Sequence, residues 1–270
     1  MPPINLPAII TPALLQRIRG HPKVPRDCWY IVSSVTLSCL NRPDEIPKVL
    51  RGALGEDTDI HGRKDGGRDG KGGGESGIGR SHEEQLRIAR RMREGLVKSS
   101  AICGLPKTIN ALFSLKAVTP PSLLDDPMTY SPSSRPSEIH DIQMSTILHR
   151  GQTFFNTVYG KISKRVMSQM DRSGTEDLGL VARLFYGYVL SNTSILTPAE
   201  TSLILVAGLV PQDVNPQLKG HLRGAVNNGV SVEEVRAVRD VVIWICEGAG
   251  MGMLKDGEMG LGWREEVAKI

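Results

Sequence analysis

Four cysteines, Cys28, Cys39, Cys103 and Cys246, carry the most reactive side chains in the sequence, and their spacing limits what they can do. No two of them form a CxxC pair, and none stands at metal-ligand spacing from a histidine. This predicts no metal and no cofactor, and sparse cysteine use fits a reducing intracellular compartment. Cys246, in Trp244-Ile245-Cys246, has apolar neighbours, where a thiol is a small hydrophobe of low reactivity. His221 is a different kind of candidate, because an imidazole can transfer protons near neutral pH. On a helix it shares a face with Leu218 and Ala225, at the border of the apolar side, so it can point into a pocket. The structural alternative is a core-edge histidine bonded to a backbone carbonyl. Glu200 closes the capping box Thr197-Pro198-Ala199-Glu200, a role that by itself explains the residue. Arg223 follows His221 by two positions and is the candidate cation, whereas Lys219 reads as solvated face.

The elements that must position these residues read as helices. Aromatic content is only 4 %, and Leu, Val, Ala and Ile are plentiful, which fits a helical bundle better than a sandwich. Phe155, Val158, Tyr159, Ile162 and Val166 fall on one face of a helix predicted to end near Met170. Val235, Val238, Val242 and Ile245 do the same after the capping box Ser231-Val232-Glu233-Glu234. Asn215-Pro216 opens a further helix that Asn228-Gly229 closes. With no hairpin signal and no alternating strand, the fold class is all-α. The charge of +4 is mild and spread over 33 basic and 29 acidic residues, without the basic stripe that nucleic acid requires. The apolar runs Ile31–Leu40 and Leu203–Val210 are too short to span a bilayer, so no membrane insertion is expected.

Two stretches read as non-globular. Gly55–Arg80 is Gly-rich with mixed charge and buries too little to offset its ordering entropy, which predicts a flexible loop. Thr119–Ile139 is rich in Pro and Ser and reads as a linker. Around them the chain repeats itself. Arg51-Gly52-Ala53-Leu54 matches Arg223-Gly224-Ala225-Val226, Ser81-His82-Glu83-Glu84 matches the capping box at Ser231, and Ile102-Cys103-Gly104 lies near the same place as Ile245-Cys246-Glu247-Gly248. An insertion between two helices costs little, because closure entropy grows slowly with length. The expected organisation is an N-terminal half over 1–118 with the insertion at about 55–80, a linker over 119–139, and a C-terminal half over 140–270.

His221–Val238, HLRGAVNNGVSVEEVRAV, resembles the core of the carboxymuconolactone decarboxylase / alkylhydroperoxidase D-like family. Leu196–Val210 is similar to the helix before that core, and Cys103–Leu112 resembles the segment that follows it. The likeness covers Gln152–Gly250 well and Cys28–Lys116 more weakly, and implies a tandem, all-α bundle. The peroxidase branch of the family uses a CxxC, whose two places fall here on Val214 and Gln217. CxxC peroxidase chemistry is therefore not expected, and in the first half Val49 stands where the histidine would be. The decarboxylase branch implies a cofactor-free reaction in which His221 protonates the carbanion left by CO2 loss. Glu200 sits where the family often has an acid, but the arginine usually near it is missing from Pro198-Ala199-Glu200-Thr201, which puts the original substrate in doubt. Arg223 is the candidate substitute for substrate binding.

Ala268-Lys269-Ile270 resembles the small–basic–aliphatic tripeptide read by the peroxisomal import receptor. Tandem arrangement, Gly-rich insertion and tail together resemble a fungal peroxisomal branch of the family, implying the peroxisome matrix, with the cytoplasm as alternative. The hypotheses are a cofactor-free decarboxylase or isomerase of a small organic acid or lactone, and a non-catalytic oligomeric binding or structural protein. A thiol redox role, needing a fast-reacting Cys103 or Cys246, is a third. Relatives of this fold associate, so a homo-oligomer is expected.

Overall fold

The computed structural model describes residues 6–56, 80–125, 131–255 and 258–270; most of the Gly-rich insertion lies outside the described residues. The first half holds α1 (Pro12–Arg19), α2 (Trp29–Cys39), α3 (Ile46–Leu54), α4 (His82–Cys103) and α5 (Leu105–Val118). The second holds α6 (Arg135–Asp141), α7 (Met144–Tyr159), α8 (Ser163–Asp171), α9 (Asp177–Leu184), α10 (Pro198–Leu209), α11 (Asn215–Asn227) and α12 (Val232–Gly248). The capping residues begin the helices where expected. Thr197 and Ser231 form reciprocal boxes with Glu200 and Glu234, and the Ser81 hydroxyl accepts the Glu84 N–H.

Two trios of helices pack in a similar way. α2, α3 and α4 pack on one another, and so do α10, α11 and α12. Across the halves α2 meets α12, α10 meets α4, and α2 meets α10, a reciprocal pattern. α2 and α10 are the central pair: every residue of α2 is buried, as is Thr201–Leu209 of α10. Val235, Val238, Val242 and Ile245 face the same interior from α12. The two sequence halves thus share one main core, and a smaller cluster of Phe154, Phe155, Val158, Tyr186, Leu190 and Leu205 sits under α7. Gly95 lets α4 approach closely, since a Cβ there would collide with Ile31 of α2.

Three details differ from the sequence reading. The helix expected to run to Met170 is broken: α7 ends at Tyr159, Gly160 takes φ +53°, and α8 starts afresh after a 3-10 turn. Periodicity could not reveal this, because the apolar spacing continues across the break. Thr119–Ile139 is a packed connection where it is described. Leu123 is buried, Asp125 pairs with Arg90 and Arg93, and Glu138 of α6 pairs with Arg150 at 2.8 Å. A two-residue parallel pairing, Gly252–Met253 with Gly262–Trp263, brings Trp263 inward to donate its indole N–H to the Val210 carbonyl at 2.8 Å. No helix among the described residues is long and apolar enough to cross a membrane.

Candidate functional site

Arg91, Glu94 and Lys98 stand three and four positions apart on α4, on one face, and all are buried. Arg91 donates from Nη2 to Glu200 Oε1 at 2.6 Å and to the Asp27 carbonyl at 3.0 Å, and from Nε to the Tyr30 hydroxyl at 2.9 Å. The other oxygen of Glu200 takes the Thr197 N–H at 2.8 Å and its hydroxyl at 2.9 Å. Burial alone would raise the Glu200 pKa, but the Arg91 bond and the Thr197 donors outweigh it and hold the carboxyl below its ordinary range. The arginine that the sequence lacked beside Glu200 is therefore supplied from the other half.

Tyr30 leads outward from this ion pair to a surface cavity of about 550 Å³. Arg19, Arg26, Arg80 and Arg87 line it against two carboxylates, Asp27 and Glu84, and Trp29 adds an aromatic wall. Arg87 is paired with Asp27 at 2.8 Å, and the Arg19 guanidinium stands 5.8 Å from the Trp29 ring. An excess of planar, permanently charged donors beside aromatic surface suits a carboxylate or phosphate carried on a small organic body. The cations come from α1, α4 and the loops before α2 and α4, scattered through the sequence, so no local motif announced them.

His221 faces a different neighbourhood. Its Nε2 is 3.2 Å from the Tyr159 hydroxyl, with the rings edge to face at 5.6 Å, and Tyr159 in turn bonds Tyr186. The ring is 6 % exposed, and burial pulls its pKa down to about 4. Burial favours the neutral ring, and the partner of its Nε2 is a phenol. Arg223 is exposed on α11, as is Lys219. His221, Glu200 and Arg223 thus have separate surroundings, and His221 does not line the arginine-walled cavity.

Lys98 escaped sequence reasoning altogether. It is fully buried, and its Nζ donates to the carbonyls of Leu190 and Asn192, both at 2.7 Å, and to the Thr201 hydroxyl at 2.8 Å. Burial draws its pKa down to about 7, yet three acceptors match the three N–H bonds of an ammonium. Leu190 ends a π-helical turn, Phe185–Leu190, so Lys98 anchors that turn to α4. Glu94 lies 3.8 Å from Lys98 and pairs with Arg135. At the end of the chain Val267 and Ala268 are buried. Asn215 accepts the Ala268 N–H at 2.9 Å, and Arg239 donates to the Val267 and Ala268 carbonyls.

An all-α bundle of this design, without a CxxC pair, defines a protein of the carboxymuconolactone decarboxylase-like class. The model of the carboxymuconolactone decarboxylase family matches residues 180–251. The chain is similar to Peroxisomal protein 2 of Schizosaccharomyces pombe, 34 % identical over 245 residues, covering 91 % of this chain and 97 % of that protein. It is also similar to Peroxisomal protein 2 of Saccharomyces cerevisiae, 32 % identical over 299 aligned positions, covering 95 % of this chain and 97 % of that one. The chain belongs to the carboxymuconolactone decarboxylase family. No solved structure matches it.

The depressed basicity of His221 sets a pH dependence of stability. An unfolded histidine takes up its proton near pH 6.5, the folded one only near 4, so the unfolded state binds more protons between them. Stability is unaffected by this group above the upper value and falls as the pH drops through the window, by about 3 kcal/mol in full. Urea midpoints measured from pH 7 to 4 should decline less steeply in His221→Gln than in the wild type. Parallel profiles for the two proteins would show that the imidazole is not held neutral.

Proposed function

We propose that the protein works in the peroxisome matrix as a binder of small organic acids, taking their carboxylates into the arginine-walled cavity beside Tyr30. The observation that carries this reading is the excess of guanidinium groups around that cavity, backed by the Tyr30–Arg91–Glu200 chain beside it. The names of the two similar yeast proteins support the compartment. Calorimetric titration with a dicarboxylate series from succinate to adipate tests the binding. Arg87→Glu should weaken it by roughly tenfold or more, the worth of one charge-assisted pair. A series that binds nowhere, or binds the variant equally well, overturns the reading.

A second reading makes the protein a cofactor-free decarboxylase or isomerase of the bound acid or lactone, with His221 as proton donor. Its support is the Tyr159–His221 hydrogen bond, across which a proton can pass. Against it stand the weakened basicity of the ring and its separation from the cavity lining. NMR of the acid incubated with protein decides. Turnover lost in His221→Gln, with binding retained, supports the lyase; an unchanged acid leaves the non-catalytic reading.

Leu105, Ile109 and Phe113 recur every fourth residue on α5 and are 63 %, 46 % and 70 % exposed. Such an apolar stripe supports association of whole chains into a dimer or trimer. Light scattering at micromolar concentration should report more than one chain, and Phe113→Glu should return it to a monomer. A wild-type monomer refutes this.

Ala268, Lys269 and Ile270 form the candidate import signal. Because Asn215 and Arg239 hold this end against the body, receptor capture requires its release. A fluorescent fusion on the N-terminal side should be peroxisomal, and cytosolic after removal of the last three residues. An unchanged location would remove the tripeptide from the account.

A further inference from the structure

Two cysteines that are far apart in the sequence meet in the structure. Cys103 is the last residue of α4, and Cys39 is the last of α2. The hydroxyl of Ser38, next to Cys39 in the chain, is 3.8 Å from the Cys103 sulfur, and the two thiols are near enough to shift each other's pKa. Ser99 at 3.7 Å and Thr108 at 3.7 Å bring two further hydroxyls to the Cys103 sulfur. Ser99 and Thr108 also reach the carbonyls of Leu96 and Gly104, so each can turn its proton to the sulfur when the sulfur becomes an anion. Gly104 caps the N-terminus of the fourteen-residue α5, whose positive end faces the same place. Lys107, in its first turn, donates to the Cys39 carbonyl at 2.7 Å.

This is the environment of a nucleophilic thiolate with a second thiol in reach. The Cys39 thiol foremost, then the hydroxyls, pulls the Cys103 pKa down to about 5, while Cys103 and burial push Cys39 well up. Cys103 is half-buried, whereas Cys28, Cys39 and Cys246 are buried. Cys246, near the end of α12, lies in apolar surroundings that raise its pKa.

We propose that Cys103 and Cys39 form a peroxide-oxidised dithiol, in which Cys103 is the attacking sulfur and Cys39 the resolving one. The Cys103 thiolate attacks the outer oxygen of a hydroperoxide. The O–O bond breaks, and the alkoxide or hydroxide leaves and takes up a proton. Cys103 is now a sulfenic acid, oxidised by two electrons, and the peroxide is reduced to an alcohol or water. The Cys39 sulfur then attacks Cys103, losing its proton as the S–O bond breaks. Water leaves and an intramolecular disulfide remains. The proposal is independent of the acid-binding reading.

The test uses the full chain, reduced and freed of reductant. Iodoacetamide should label Cys103 at least roughly tenfold faster than each of the other three, as thiolate fraction and access require. One equivalent of hydrogen peroxide should then remove two thiols, and peptide mapping should find a Cys39–Cys103 disulfide. In Cys39→Ser the sulfenic acid should persist and be trapped by dimedone at Cys103. Cys103→Ser should leave Cys39 reduced, with circular dichroism checking that each variant is folded. Four thiols that label alike in the wild type, or a peroxide-treated protein without that disulfide, overturn the proposal.

Discussion

The buried polar face of α4 is the constraint on which the rest of the molecule depends. Arg91, Glu94 and Lys98 are carried into the interior because Gly95 lets α4 close on α2, and burial obliges each charge to find a partner. Each finds at least one partner beyond the first half of the sequence: Glu200, Arg135, and the Leu190, Asn192 and Thr201 acceptors. Removing one partner from such an arrangement typically costs about 3–5 kcal/mol, because a charge is left stranded. The polar seam therefore fixes how the halves meet, while the apolar contacts of α2 and α10 supply most of the cohesion. Packing alone would tolerate sliding. The seam does not.

The same seam reaches the surface as chemistry. Glu200 serves its own helix as a capping acid and its neighbour as the counter-ion of Arg91, and both oxygens are occupied. Arg91 in turn orients the Tyr30 hydroxyl next to the cationic cavity. The acid and the arginine of this pair come from two different helices, α10 and α4. His221, though on the most family-like stretch of sequence, belongs to a separate aromatic cluster with Tyr159 and Tyr186.

Two helix trios pack against each other and differ in what they carry. Each trio of helices leaves an apolar face that the other covers, so one chain contains the association that a single unit would need from a partner. The first keeps a hydroxyl-lined thiol pair where α4 ends, and the second keeps a histidine whose counterpart is the buried Val49.

The sequence by itself determined the local architecture: caps at Thr197, Ser81 and Ser231, apolar faces such as Val235–Ile245, the all-α class and the family. These follow from interactions within three or four residues, which spacing records directly. Among its local failures is Gly160, where apolar spacing continues across a backbone break. Tertiary structure decided which distant residues meet. Arg91 beside Glu200, Cys39 beside Cys103, Tyr159 beside His221 and the cavity arginines are separated by tens of residues and joined by helix crossings. A charge or thiol acquires its chemistry from its neighbours in space, and crossing geometry is a property of whole packed surfaces that no short stretch of sequence contains.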